Sequence, residues 1–192
     1  MLRFCIPASV DQDRFVTLSL HIDTNRINAR TALPNMNQLE RWRSDGVILM
    51  QMSNTAREEA VAGGSAARAK KASSYIFTLT MNLIDDERRL MREIEAILFP
   101  GGASSASERN DIEIVFNAWK YSAVLVTADG GSRRQPGGIL GNQEALGRRG
   151  ITVMSDDEAV ELVRDKIRQR DRLMIERCQW EGRPLPVWIG QD

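Results

Sequence analysis

Short apolar runs alternate with segments of helical periodicity along most of this chain. Five runs have the length and β-compatible composition of buried strands; they are residues 16–23, 47–52, 75–80, 123–127 and 151–154. Apolar residues spaced three and four apart predict helices; these cover residues 34–44, 53–62, 85–99, 112–121, 142–149 and 155–177. Because strands and helices alternate, the pattern predicts an α/β fold, namely a three-layer α/β/α domain with a mainly parallel central sheet.

Breaks in the pattern divide the chain into three parts. Residues 1–15 form an N-terminal arm, in which 4–6 are a candidate edge strand. Residues 16–154 form the α/β domain, with an insertion over about 63–107 that opens on a helix-breaking glycine pair. Residues 155–192 form a charged C-terminal helix followed by an irregular tail.

Composition narrows the class of protein only slightly. Hydrophobic residues make up 42% and charged residues 27% of the chain, as in ordinary globular domains. The formal net charge is zero, which argues against coating nucleic acid by bulk charge but permits a local basic rim. The sequence has no run long enough for a signal peptide or a membrane span. Cys5 and Cys178 lack metal-site spacing, so we expect reduced thiols and a cytoplasmic location.

Four carboxylates occupy positions that parallel strands bring together. Asp23 ends the first apolar run and Asp129 follows the fourth, so both lie at one edge of the sheet if these strands are neighbours. Glu59 lies early in the helix after the second strand, in phase with Thr55, and is preferred there to Glu58. Asp111, with Asn110, is expected to open the helix that leads into the fourth strand.

Such a cluster repels itself unless a cation lies among its members. Carboxylate oxygens suit Mg²⁺ or Mn²⁺, and a metal held this way suits phosphodiester hydrolysis. Each acid also has a plain structural explanation, as a helix cap, a turn residue or a first-turn acid favoured by the helix dipole.

The ordered set of motifs resembles the PIN domain, a metal-dependent ribonuclease family. The resemblance rests on HIDTN at 21–25, on Glu59 within SNTAREEA at 53–60, and on the run NDIEIVFNAWKYSAVLVTADGG at 110–131. It covers roughly residues 16–154 and implies a PIN-like fold that cleaves RNA with Mg²⁺ or Mn²⁺. The implied metal ligands and catalytic acids are Asp23, Glu59, Asp111 and Asp129, supported by Asn25 and Thr127.

The chain departs from that family pattern after Asp129. A further acid or asparagine often follows there, whereas this chain has two glycines and Ser132, so Ser132 is the candidate replacement. Arg133 and Arg134 come next and are equally well explained as phosphate contacts or as a solvated loop. His21, the single histidine, is expected to be a packed strand residue.

Two other functions fit the same residues. The first is a PIN-like module without catalysis, which binds RNA or a protein partner. The second is a phosphatase-type or receiver-type α/β domain, against which the lack of a partner lysine after a late strand counts. The resemblance also implies an antitoxin-like protein partner, and apolar residues near the tail (Met174, Ile175, Trp180, Trp188) suggest packing in a homo-oligomer.

Overall fold

The computed structural model describes residues 12–81 and 83–192. Its centre is a sheet of five strands; they are β1 (Ser19–Ile22), β2 (Leu49–Ser53), β3 (Ile76–Thr78), β4 (Val124–Val126) and β5 (Val153–Met154). All four neighbouring pairs in the order β3-β2-β1-β4-β5 run parallel. The predicted α/β class and its parallel central sheet are therefore confirmed.

Seven α-helices cover the sheet within the described ranges. They are α1 (Pro34–Ser44), α2 (Asn54–Ala62), α3 (Ala66–Ala72), α4 (Asp85–Leu98), α5 (Ala106–Lys120), α6 (Gln143–Gly147) and α7 (Asp156–Glu181). Helix α1 packs against α7, whereas α5 packs against both α2 and α4, and each group contacts the sheet. Two helical layers thus enclose one core, as the three-layer prediction requires.

The three central strands are buried on both faces, which explains their almost continuous apolar sequences, whereas Ile76 and Phe77 on the edge strand β3 are exposed. Leu20, Met50 and Leu125 lie on the three central strands and are fully buried. Phe116, on the inner face of α5, is the largest fully buried side chain of the core.

The direction of the chain across the sheet reverses at β1. Strands β2 and β3 follow on one side of β1, whereas β4 and β5 lie on the other. Ile22 pairs with Val126, and the amide of Asp23 continues the ladder to the Val126 carbonyl at 3.0 Å. In open α/β sheets the crevice beyond the carboxyl ends of two such strands is where ligands bind. The strands before Asp23 and Asp129 are neighbours, which is the condition under which the sequence places both acids at one edge of the sheet.

The start of α5 differs from the sequence-based prediction. Asn110 and Asp111 were expected to open a helix over residues 112–121, after a serine-rich loop at 103–108, but the helix already begins at Ala106. Its cap is Ser105, whose hydroxyl accepts from the amide of Glu108 while the Glu108 carboxylate accepts from the amide of Ser105. Asp111 therefore lies in the second turn of α5, and its interpretation as a helix cap is wrong.

Other boundaries shift less. The glycine pair at 63–64 ends α2, and the basic segment after it is a separate helix, α3. Helix α7 continues to Glu181, one turn further than predicted, and ends at Gly182 in a left-handed conformation. The candidate edge strand at 4–6 and Cys5 lie outside the described residues.

The C-terminal tail folds back onto α7. Trp188 is buried against Met174 and Cys178, and the guanidinium of Arg170 lies 4.4 Å from the centre of the Trp188 ring. Asp192 pairs with Arg170 and with Arg14. Met174 and Trp188 are therefore covered by this chain itself rather than left for a partner, whereas Trp180 is 87% exposed.

None of the helices in the described ranges combines the length and the apolar composition that crossing a bilayer requires.

Candidate functional site

Asp23 lies immediately after β1 in a closed network of polar side chains. Its Oδ2 atom accepts hydrogen bonds from the Thr127 hydroxyl at 2.6 Å and from the Asn25 amide at 2.7 Å. The Thr127 hydroxyl in turn accepts from Asn25 at 3.1 Å and from the amide of Asp129 at 3.0 Å. The network ties the ends of β1 and β4 together and fixes the orientation of the Asp23 carboxylate.

Helix α2 delivers Glu59 to the same edge of the sheet. Ser53, the last residue of β2, caps the helix through the amide of Ala56. The Oε2 atom of Glu59 accepts from the Thr24 hydroxyl at 3.0 Å, and its Oε1 atom accepts from the Asn110 amide at 2.6 Å. Glu58, the alternative acid, is exposed and accepts only from Asn54.

Thr24 and Asn110 were not predicted to belong to the site. Thr24 connects two acids, since its amide also donates to Asp23 Oδ1 at 2.6 Å. Asn110 connects α5 to α2, and nothing in its local sequence signals a partner 51 residues away. The only sequence signal for a role of Thr24 in the site is its position within the HIDTN motif.

Asp111 lies on α5, within electrostatic reach of the other three acids. It is partly buried, and its side chain accepts no hydrogen bond from the described residues. A buried carboxylate without such bonds has a structural cost and no compensating structural role. Asp111 is therefore the acid of the set that packing and hydrogen bonding explain least.

Asp129 has a structural role in the loop that follows β4. Its Oδ1 atom accepts from the amide of Gly131 at 3.1 Å, and its Oδ2 atom accepts from the amide of Ile139 at 2.9 Å. The same loop requires glycine at two positions. A Cβ at Gly131 would lie 2.2 Å from the Gly138 nitrogen, and a Cβ at Gly138 would lie 2.6 Å from the Asp129 carbonyl oxygen.

We therefore predict that Gly131→Ala opens this loop. Residue 131 has φ of +90°, so alanine there is both strained and in collision with backbone atoms. The expected loss is about 2 kcal/mol of unfolding free energy, measured by urea denaturation. Gly130→Ala is the matched control, because a Cβ at Gly130 meets no atom within 4 Å. Equal stability of the two variants would contradict the close approach.

Two of the four acids have raised pKa values. The pKa of Asp23 is raised to about 6, mainly by burial and also by the charges of Asp129 and Glu59, against the hydrogen bonds from Thr127 and Thr24. The pKa of Asp111 is raised to about 7, mainly by burial and also by repulsion from Asp23, Asp129 and Glu59. No lysine or arginine in the described ranges pairs with any of the four carboxylates, so the site concentrates negative charge.

The donors fit a hard divalent cation by their chemistry. All are carboxylate oxygens, the ligands that Mg²⁺ and Mn²⁺ prefer, and a cation would offset the repulsion that contributes to the raised pKa values of Asp23 and Asp111. Within residues 12–81 and 83–192, however, no three histidine, cysteine or carboxylate side chains are grouped closely enough to hold a metal as they stand.

The remaining predicted residues lie around this edge. Ser132 is in the loop after Asp129, where its hydroxyl accepts from the amide of Gln135 at 3.3 Å. Arg133 is exposed. Arg134 forms an ion pair with Glu108 at 2.7 Å, which favours a structural explanation for that residue.

His21 is a packed strand residue, as predicted. It is buried, its Nε2 atom lies 3.3 Å from the Thr78 hydroxyl, and burial lowers its pKa to about 4.

Comparisons with known proteins add little to this geometry. No family model matches the sequence. A search of curated proteins found no match. Among solved structures, the chain is similar to one described as the crystal structure of VapBC2 from Rickettsia felis bound to a DNA fragment from their promoter. The identity is 16% and the TM-score 0.46, over 72% of this chain and 98% of that chain. This likeness is too distant to carry an argument about family, ligand or partner.

Proposed function

We propose that this protein is a PIN-like nuclease that hydrolyses RNA phosphodiester bonds with Mg²⁺ or Mn²⁺. One observation carries the proposal. Asp23 and Asp129 follow the adjacent strands β1 and β4, and the pKa values of Asp23 and Asp111 are raised by burial and by charge repulsion that involves Glu59 and Asp129. Within the described ranges no lysine or arginine forms an ion pair with any of the four acids. A protein that gained nothing from such repulsion would be more stable without it.

The side chains divide the work as follows. Asp23, Glu59, Asp111 and Asp129 would hold the cation, which when bound lowers the pKa of water and offsets charge on phosphoryl oxygens. Asn25 and Thr127 orient Asp23, while Thr24 and Asn110 orient Glu59. The Asp111 carboxyl, with its pKa of about 7, holds a proton for part of the time near neutral pH and releases it when positive charge enters the site.

A second candidate is a PIN-like module without catalysis, which binds RNA or a protein partner such as an antitoxin-like peptide. The bonding of Asp129 favours it, since both carboxylate oxygens already have a structural role in the loop. A receiver-type domain is disfavoured, because receivers have the strand order 2-1-3-4-5 whereas this sheet has β3-β2-β1-β4-β5.

Cleavage of single-stranded RNA by the purified protein tests the proposal. We expect cleavage with Mn²⁺ and none with excess EDTA. Glu59→Gln should reduce the rate on the order of 100-fold, because it removes a charge from the site while keeping the size of the side chain. Glu58→Gln is the matched control, since Glu58 is exposed and bonds only to Asn54. Cleavage that persists in EDTA, or equal rates for the two variants, would contradict a metal-dependent nuclease at these acids. A folded protein that does not cleave RNA in Mn²⁺ would favour the non-catalytic module.

A further inference from the structure

A cleft opens beside the carboxylates, between the segment after β1 and the junction of α2 with α3. Its volume is about 410 Å³, within the ~300–1,000 Å³ range of small-ligand pockets. Small and apolar side chains form much of its wall, including Ala32, Leu33 and Ala67. Arg30 and Arg68 also line it, and none of its lining residues is acidic.

Arg68 connects this cleft to the acids. Its guanidinium donates to the Thr24 carbonyl at 2.6 Å. Thr24 itself donates to Asp23 through its amide and to Glu59 through its hydroxyl. Gly63, on the cleft wall, follows α2 and bonds through its amide to the Glu59 carbonyl at 3.0 Å. One residue therefore separates the guanidinium of Arg68 from two of the four carboxylates.

The two arginines leave donors for a ligand. Arg68 uses one nitrogen in the bond to Thr24, and the side chain of Arg30 makes no hydrogen bond or ion pair with the described residues. Guanidinium groups bind phosphate through paired N–H donors and also stack on the faces of nucleobases. Two guanidinium groups therefore lie next to the acidic centre. A phosphodiester chain that crosses both regions has one phosphate at the arginines and a neighbouring phosphate at the acids.

We infer that this cleft receives one unpaired nucleotide next to the scissile phosphate, with the base against the apolar wall and its phosphate on Arg30 and Arg68. The inference rests on the proposed nuclease function and adds a substrate-binding subsite outside the four acids. A duplex fits only after one of its nucleotides leaves the stack, which costs a few kcal/mol. Single-stranded substrates do not incur that cost.

Binding, measured separately from cleavage, tests the cleft. The probe is a fluorescently labelled eight-nucleotide RNA, followed by anisotropy in the Asp111→Asn background so that the strand stays intact. Arg30→Glu should weaken binding about tenfold and lower the slope of log affinity against log salt by about one. Ala67→Trp should weaken binding to a similar extent without changing charge, because the ring fills the space for the base. The same sequence as a duplex should bind weakly to all variants.

Arg172→Glu is the matched control for net charge. Arg172 is exposed on α7, away from the cleft lining. Equal weakening by Arg30→Glu and Arg172→Glu, or full binding by Ala67→Trp, would overturn the inference. If the wild-type protein cleaves RNA and the Arg30→Glu and Ala67→Trp variants bind and cleave normally, the cleft is not a binding site but the nuclease proposal stands. If these substitutions weaken binding but the wild-type protein does not cleave RNA in Mn²⁺, the nuclease proposal is rejected and the cleft remains a binding site for single strands.

Discussion

Replacing Asp111 by asparagine is expected to abolish Mn²⁺-dependent cleavage and at the same time to stabilise the metal-free protein. The ionised carboxylate is partly buried and repelled by Asp23, Asp129 and Glu59. Asparagine has nearly the same shape and a similar helix propensity but no charge. Its expected gain at pH 8 is about 2 kcal/mol of unfolding free energy: each unit of raised pKa corresponds to about 1.4 kcal/mol, and solvent screening at this partly exposed side chain reduces the total by about half.

The direction of this change makes it diagnostic. Most substitutions at partly buried positions destabilise a protein, typically by about 1 kcal/mol. A variant that loses activity and gains stability shows that the residue is kept for its charge. Urea denaturation in EDTA and a cleavage assay in Mn²⁺ measure the two effects on the same samples.

Glu113→Gln is the matched control on the same helix. Glu113 lies two residues further along α5 and is not among the charges that raise the pKa of Asp23 or Asp111. The Glu113→Gln substitution should leave both the rate of cleavage and the unfolding free energy nearly unchanged. Retained cleavage in Asp111→Asn would contradict a role for Asp111 in the metal site, and a loss of stability would contradict the repulsion. Asp129→Asn is a poorer choice, because both oxygens of Asp129 accept backbone hydrogen bonds and the variant also disturbs the loop.

The sequence predicts the strands and the edge at which they end because both properties are local. An apolar run followed by Asp23, or by Thr127 and Asp129, identifies a buried strand and the polar residues at its end. The alternation of strands and helices then favours a parallel sheet, and parallel strands place their carboxyl ends at one edge. The fold class follows from these two steps, whereas the pairing of β1 with β4, which makes Asp23 and Asp129 neighbours, comes from the structure.

The sequence misplaces Asp111 because two capping patterns compete. Asn110 and Asp111 are good cap residues, yet Ser105 and Glu108 form a capping box five residues earlier. The box satisfies two backbone amides at once and starts the helix sooner. The S-x-x-E pattern at Ser105 and Glu108 was therefore the sequence signal for the start of the helix. It leaves Asp111 inside the helix without a capping role.

Contacts between distant segments escape sequence reasoning for a different reason. The bond from Asn110 to Glu59 spans 51 residues, and the bond from Arg68 to Thr24 spans 44. The sequence around each of these residues contains no pattern that identifies its distant partner. The glycines after Asp129 are a related case, since the missing acid is apparent in the sequence but the close approach of Gly131 to Gly138 is not.

Between pH 6.5 and 8 the metal-free protein is expected to lose stability as the pH rises. The pKa of Asp111 is raised from 3.8 to about 7 and that of Asp23 from 3.8 to about 6. The folded state therefore binds more protons than the unfolded state in this region, and stability falls with increasing pH. The contribution of the two carboxyls is fully present below their unfolded pKa and is lost as the pH passes through 6 and 7.

His21 limits the useful window. Burial lowers its pKa from 6.5 to about 4, so its contribution to stability is present above pH 6.5 and is lost as the pH falls toward 4. Below pH 6.5 the two effects oppose each other. Above pH 6.5 His21 is largely neutral in both states, and the slope reports on the carboxyls, above all on Asp111.

Magnesium should reverse the sign of this slope. A cation among the acids favours their ionised forms, so the rise in Tm on adding Mg²⁺ should be larger at pH 8 than at pH 6.5. Thermal unfolding with EDTA and with Mg²⁺ at both pH values measures the effect, and each kcal/mol corresponds to about 2–4 °C for a chain of this size. Asp111→Asn should flatten the metal-free slope, whereas Glu113→Gln should keep it. A slope that Asp111→Asn leaves intact would show that repulsion among these acids does not control the stability of the fold.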